Sequence, residues 1–375
     1  MSKVLYVVTH GEMGGVHRFL ESVFLNHSEN VKPVILSFRE GAWLDELRRR
    51  DLPVYCIDHA RIREAVKNFR AVHSIIERER IDIVHSSYAW CHSMVAPAAR
   101  WSGCYSIWFH HGPMSDSRWQ GMLPLVPADL VLANSLFLMN RMRKTFYWAK
   151  RMGVVHYGID AAAFAPDSSR RERFRREWTL DESTIAIGIV GFIDTWKGQD
   201  IFLKAAKLLE ARRGKIRMFV IGGPRDGLAE SRCVAFEREL RRYTAENHLE
   251  NFVHFTGHLD VNDGVLDGLD IFVHASTEPE PFGMSILEAM AKGKAIVASA
   301  EGGPLELIHH DKDGLLIEPR RPELLANTIG LMLDDPCMRA RLGRAAIETA
   351  RSRFSPAVAV RCLEDWYRAL PEIKI

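Results

Sequence analysis

Two glutamates, Glu280 and Glu288, stand eight positions apart in STEPEPFGMSILEAMAKGKAIVASAEGGPLELI, residues 276–308. A carboxylate is a good acceptor for paired hydroxyls, such as a ribose diol or the hydroxyls of a sugar. The stretch follows an apolar strand, IFVHA, and a turn with Pro281 and Gly283 leads into a helix starting near Met284. A strand, a glycine turn and a helix leave backbone N–H groups at a partly positive helix end, which suits a diphosphate. Gly283 lets an anion approach the backbone closely, and Ser285 can add a hydroxyl. On this reading Glu280 sits in the loop above the helix and Glu288 in its second turn, both toward one crevice. A bare pair of glutamates would read as solvated surface residues; the glycine at each element boundary is what favours a site.

Other residues could serve the same chemistry. Lys197, in GFIDTWKGQD (191–200), is a mobile point charge able to neutralise a phosphate. His110 and His111 follow the strand SIWF, and a histidine at the C-terminal end of a parallel strand faces the crevice of an open sheet. His111, directly before Gly112, could hydrogen-bond a sugar hydroxyl; His110 reads as supporting or structural. Gly14 and Gly15 lie between the first strand and the first helix. GEMGGVHR does not match the dinucleotide pattern G-x-G-x-x-G in frame, so a glycine turn whose N–H groups cap a phosphate fits better.

The elements that must position these residues alternate along the chain. Short apolar runs at Lys3–Thr9, Pro33–Phe38, Val54–Ile57, Ile81–His85, Tyr105–Phe109 and Leu130–Ala133 are separated by helix-like stretches. A second series covers Ala186–Val190, Arg217–Ile221, Phe252–Thr256, Ile271–His274, Ala295–Ser299 and Leu315–Ile317. Continuous apolar runs between helices predict parallel sheets covered on both faces. The Pro-containing stretch Val154–Asp167 and the highly charged Ser168–Trp178 read as an interdomain linker. The basic and aromatic segment 135–152 reads as an ordinary amphipathic helix, with membrane contact as the alternative.

The 375 residues are too many for one ordinary core, and 47% hydrophobic with 26% charged residues excludes a largely disordered chain. Net charge is +2. Residues 1–160 carry 20 basic and 15 acidic side chains against 30 and 33 in the remainder, which gives nucleic acid no strong footprint. The six cysteines show no CxxC spacing and fit free thiols in a reducing cytosol. No apolar run reaches about 18 residues, and MSKVLYVVTHG enters a strand without a signal-peptide core. The expectation is a cytoplasmic protein, with peripheral contact at the inner membrane face left open.

The glutamate stretch resembles the E-x7-E signature of retaining glycosyltransferases with the GT-B fold, most closely glycosyltransferase family 4. GGVHRFL (14–20), VVHYGIDAAAF (154–164), GFIDTWKGQD (191–200) and DIFVHAS (270–276) resemble further family segments in order, covering nearly the whole chain. The resemblance implies an α/β fold of two doubly wound Rossmann-like domains facing a cleft. The N-terminal domain (1–160) would take the acceptor and the C-terminal domain (161–355) the donor, with a final helix (356–375) crossing back. It implies transfer of a sugar from a UDP- or GDP-sugar to an acceptor hydroxyl with retention, in glycan, polysaccharide or glycolipid biosynthesis, requiring no cofactor or metal. Glu288 would bind the donor ribose and Glu280 the transferred sugar. Phe282, Gly283 and Met284 would line the sugar and phosphate path, and Lys197 would touch the diphosphate. Arg118 and Trp119 could grip the acceptor. The chain departs from the family where Phe192 follows Gly191, a place commonly held by Arg; Arg18 or Arg320 would have to supply that cation. A nucleotide-sugar epimerase and a non-catalytic nucleotide-sugar-binding protein remain the alternatives.

Overall fold

In the computed structural model, residues 2–13, 15–58, 64–112, 128–145, 151–224, 231–259 and 264–373 are described. The chain divides into two compact units, one of Met1–Gly158 with Pro356–Ile375 and one of Ile159–Ser355.

The first unit holds strands β1 (Ser2–Val8), β2 (Val31–Ser37), β3 (Val54–Cys56), β4 (Ile83–Ser87), β5 (Tyr105–His110), β6 (Leu130–Ala133) and β7 (Met152–Val154). They form one parallel sheet in the order β3-β2-β1-β4-β5-β6-β7. Helices α1 (Gly15–Asn26), α2 (Ala42–Arg49), α3 (Ala65–Glu79), α4 (Ala89–Trp101) and α5 (Leu136–Thr145) connect them. Val7, Leu36 and Val84 of the sheet are buried against Val72, Ile76, Val95 and Ala99 of α3 and α4. This double coverage is why the strands read as unbroken apolar runs.

The second unit repeats the plan. It contains β8 (Ile185–Val190), β9 (Ile216–Ile221), β10 (Val253–Gly257), β11 (Ile271–His274), β12 (Ala295–Ser299) and β13 (Leu315–Ile317), all parallel in the order β10-β9-β8-β11-β12-β13. Its helices are α6 (Ser168–Glu177), α7 (Gln199–Leu208), α8 (Arg232–Glu246), α9 (Val265–Gly268), α10 (Met284–Ala291), α11 (Pro304–Leu307), α12 (Pro322–Asp334) and α13 (Pro336–Arg353). In both sheets the strand order reverses beside the first strand, at β1/β4 and at β8/β11. Such a switch point opens a crevice at the carboxyl ends of the strands.

A last helix, α14 (Pro356–Arg368), belongs to the first unit and packs on α1. Its Tyr367 hydroxyl donates to the Tyr6 hydroxyl and lies 2.6 Å from His85 Nδ1, while Glu364 accepts from the Ser28 N–H. Burial pushes the Tyr6 and Tyr367 hydroxyls well above their usual range and takes His85 down to about 3, so all three stay neutral.

Two sequence readings change, and a third holds for its described part. Ser168–Glu177 is not linker but the first helix of the second unit. Asp167 caps it by accepting from the Arg170 N–H, and Phe174 is buried against Phe219 and Gly268. The arginines that made it look solvated are partly employed: Arg171 pairs with Asp270 at 2.7 Å and Arg175 donates to the Thr184 carbonyl. The stretch Val154–Asp167 contributes the end of β7, a three-residue strand too short to stand out by periodicity. In the segment 135–152, Leu138, Met139 and Met142 of α5 are buried under the sheet, so its described part is an ordinary amphipathic helix.

Lys292, just past α10, is buried with its ammonium 2.7 Å from Asp267 Oδ2 and 3.0 Å from the Ala165 carbonyl; the other Asp267 oxygen accepts from the Asp167 N–H. Lys294 donates to the carbonyls of Asp267 and Leu269. Removing one member of a buried pair strands the other charge. Lys292→Ala should therefore cost about 3–5 kcal/mol in denaturant unfolding; a loss below about 1 kcal/mol, typical of an exposed pair, would contradict this account.

Candidate active site

Of the residues singled out in the sequence, Lys197, Glu280, Phe282, Gly283, Met284, Ser285 and Glu288 lie in the second unit, where two of them meet at its switch point. Lys197 follows β8 and Glu280 follows β11, neighbouring strands of the sheet. Their side chains meet, with Lys197 Nζ 2.6 Å from Glu280 Oε2. The ammonium also lies 3.9 Å from the centre of the Trp196 ring, a cation–π contact. On the other side His274 Nε2 is 3.4 Å from the same carboxylate oxygen and 3.0 Å from Ser276 Oγ.

Burial alone would push the Glu280 carboxyl up. The Lys197 ammonium and the hydrogen bond and charge of His274 outweigh it and hold the group down at about 2. Glu280 is thus a buried carboxylate kept ionised by the Lys197 ammonium and the contact with His274.

The loop carrying Glu280 is held from behind by glycine. Glu280 pairs as an isolated bridge with Gly302, and the Gly303 N–H donates to the Glu280 carbonyl at 2.8 Å. Gly302 has φ +77°, and a Cβ there would run into the Glu280 backbone. The GG that marked an element boundary in the sequence is a support for the site loop.

Helix α10 starts at Gly283, φ +106°, with no side chain capping it. Met284 and Ser285 form its partly exposed first turn, and Glu288 is buried in its second. The Phe282 ring packs against Phe354 and is 2% exposed, so only its backbone is left to line a ligand path. Arg320 lies 3.8 Å from Glu301 on the surface. Phe192 is 52% exposed with its ring stacked on His258.

In the first unit His111 follows β5 and is buried. Its Nδ1 is 2.7 Å from the Tyr157 hydroxyl, and its ring lies 4.2 Å from that of Phe109. Burial takes its pKa well below 6.5, so the imidazole is neutral. His110 is buried beside the Trp108 ring. Gly15 opens α1, whose side chain Arg18 is half-buried. Gly14, Arg118 and Trp119 lie outside the described residues.

Two family models match successive parts of the chain. The one described as Glycosyltransferase Family 4 covers residues 13–163, and the one described as Glycosyl transferases group 1 covers 170–349. The chain belongs to the GT-B glycosyltransferases of the family 4 type. It is 31% identical over 222 residues to a D-inositol 3-phosphate glycosyltransferase of Corynebacterium efficiens, covering 58% of this chain and 50% of that protein. It is 26% identical over 260 residues to an uncharacterized glycosyltransferase of Methanocaldococcus jannaschii, 68% and 59% of the two chains. The chain thus spans about half the length of the curated relatives it matches. It shares its fold with a glycosyltransferase of Rickettsia africae (TM-score 0.85, 21% identity, 99% of both chains). It shares it also with Anabaena HepE in complex with UDP and glucose (TM-score 0.82, 22% identity, 98% and 100%).

Sequence reasoning missed His274 and Ser276 as partners of Glu280. The signal was present: His274 ends strand β11 as His110 ends β5, and the same crevice argument applies to both. It also missed Tyr157, whose link to His111 spans 46 positions.

Glu280 carries a pH prediction. Its folded pKa is depressed from 4.5, so the stabilisation from its ionised form is fully present above about 4.5 and is lost as pH falls toward about 2. In Lys197→Ala, burial is opposed by His274 alone, and the carboxyl should titrate higher than in the parent. Carboxyl 13C NMR titration checks this; a parent Glu280 titrating in the ordinary carboxylate range would refute it.

Proposed function

We propose that the chain transfers a glycosyl group from a nucleotide-sugar donor to an acceptor hydroxyl, with retention of configuration. The observation that carries this reading is the Lys197–Glu280–His274 cluster at the β8/β11 switch point of a family 4-type fold. Uncapped backbone donors at the start of α10 belong to the same strand–turn–helix unit.

The chemistry follows from the charges. As the donor's glycosidic bond breaks, negative charge grows on the nucleoside diphosphate. Lys197 and the N-terminal end of α10 stabilise that charge where it develops. The departing phosphate oxygen takes the proton of the acceptor hydroxyl on the same face of the sugar, which gives retention without a protein nucleophile. Glu280 orients the transferred sugar through its hydroxyls, and its carboxylate holds Lys197 beside the diphosphate. Glu288 accepts from the ribose diol. Positive charge from Lys197 and the helix end takes the part a divalent cation would otherwise play.

UDP is the first base to test, because the HepE structures are described with UDP, UDP and glucose, and UDP-glucose. The acceptor class is a glycan or glycolipid hydroxyl, and the reaction takes place in the cytoplasm. No helix among the described residues is long and apolar enough to cross a membrane.

Nucleotide release from a panel of UDP-, GDP- and ADP-sugars, with and without acceptor, tests the reading. Acceptor-dependent release is expected; binding without turnover would mean a non-catalytic protein, and turnover to an isomeric nucleotide sugar an epimerase. Glu288→Ala should weaken donor binding by roughly 1.5–3 kcal/mol, the worth of a charge-assisted hydrogen bond. Unchanged affinity in calorimetry would remove Glu288 from the site. Lys197→Ala should depress kcat/KM more than it weakens donor binding, since its charge acts chiefly in the transition state. Near-parent turnover would place the phosphate cation elsewhere.

A further inference from the structure

Five side chains of the first unit form one continuous hydrogen-bonded relay between α14 and the sheet. His27, just past α1, places its Nδ1 3.3 Å from Glu364 Oε1 and its Nε2 2.5 Å from the Tyr6 hydroxyl of β1. The Tyr6 oxygen is 3.1 Å from that of Tyr367, which is 2.6 Å from Nδ1 of His85 on β4. Glu364 and Tyr367 both belong to α14. The His27 side chain is 3% exposed, and Tyr6, His85 and Tyr367 are buried.

The relay runs in one direction. Burial pushes the Glu364 carboxyl up, but hydrogen bonds from Ser28 and His27 outweigh this and hold it below 4.5. An ionised carboxylate only accepts, so the ring proton of a neutral His27 sits on Nδ1. Nε2 then accepts the Tyr6 hydrogen. Tyr6 has no second hydrogen, so Tyr367 donates to it, and Tyr367 has none left for His85. The His85 ring proton is therefore on Nδ1. Its Nε2 is a buried lone pair without a partner within the protein, an arrangement better tolerated than a buried bare N–H.

A second proton on His27 turns the relay round. Nε2–H points at the Tyr6 oxygen, Tyr6 must donate to Tyr367, and Tyr367 to His85 Nδ1. The His85 proton is then forced to Nε2, where nothing accepts it. We propose that this relay is an acid-sensitive latch, which seats α14 on the first unit while His27 is neutral and loosens that seat as His27 takes up a proton.

The titratable groups facing His27 are Tyr6 of β1 and Glu364 of α14, with His85 of β4 and Tyr367 of α14 beyond them. Burial lowers the His27 pKa from 6.5, and the Glu364 hydrogen bond and charge only partly oppose it. Stabilisation from the neutral ring is thus full above about 6.5 and is lost as pH falls below it. Tyr6, Tyr367 and His85 stay neutral through that range, and Glu364 stays ionised.

Two measurements on the full chain test the latch. In 15N NMR of histidine-labelled protein near neutral pH, His27 and His85, assigned through His27→Asn and His85→Asn, should both carry the proton on Nδ1. A proton on Nε2 of either ring overturns the relay. In amide hydrogen exchange, corrected for the intrinsic effect of pH, opening of α14 relative to α4 should rise about tenfold between about pH 7.5 and 5.5, the limit for one imidazole kept neutral to a unit below 6.5. An unchanged ratio overturns the latch. His27→Asn keeps a donor near Glu364 but cannot titrate, so its ratio should not respond to pH; a response equal to the parent's places the sensitivity elsewhere and also overturns the proposal. Should that variant not fold, the parent tautomers and the parent exchange ratio still decide. A network that only adds stability would leave the ratio flat with pH.

Discussion

Glu280 is a carboxylate buried in a protein interior, and a charge there needs compensation that the surrounding apolar sheet cannot provide. Lys197 and His274 provide it, and each must arrive from a different strand end. The requirement constrains everything nearby. β8 and β11 have to be neighbours, the turn after β11 has to bring Glu280 back over the strand ends, and Gly302 has to let that turn approach without a side chain. The parallel topology meets these demands at one place, where the strand order reverses.

The two units use the same position differently. Each ends a central strand with a histidine, His110 after β5 in one and His274 after β11 in the other, and in each a nearby imidazole is tied to a polar side chain. In the second unit the partner is a carboxylate, which makes the cluster electrostatic and suited to a phosphate-bearing ligand. In the first, His111 is tied to Tyr157 among aromatic rings, and burial keeps it neutral. A neutral imidazole offers direction rather than charge.

A third polar cluster lies in the second unit. Asp267 is buried within α9, Lys292 and Lys294 are buried just past α10, and Lys292 reaches the Ala165 carbonyl. This arrangement ties the start of the second unit to the far end of the helix that holds Glu288. Fully paired, it specifies one packing of those segments; half-paired, it would oppose folding.

The alternation of apolar runs and amphipathic stretches determined, without coordinates, twelve of the thirteen strands among the described residues and the parallel α/β architecture. The burial of a parallel sheet on both faces leaves that mark in local composition. The placement of Glu280, Gly283 and Glu288 along one strand, turn and helix was legible for a similar reason, since those elements are adjacent in the chain. Tertiary structure alone decided what depends on distant partners. Ser168–Glu177 became a helix of the core because Phe174 finds Phe219 and Arg171 finds Asp270, 99 positions away. The ionisation of Glu280 was settled by Lys197, 83 positions before it, and the burial of a neutral His111 by its contact with Tyr157, 46 positions after it. Desolvation and hydrogen-bond geometry act between neighbours in space, and a sequence records only neighbours along the chain.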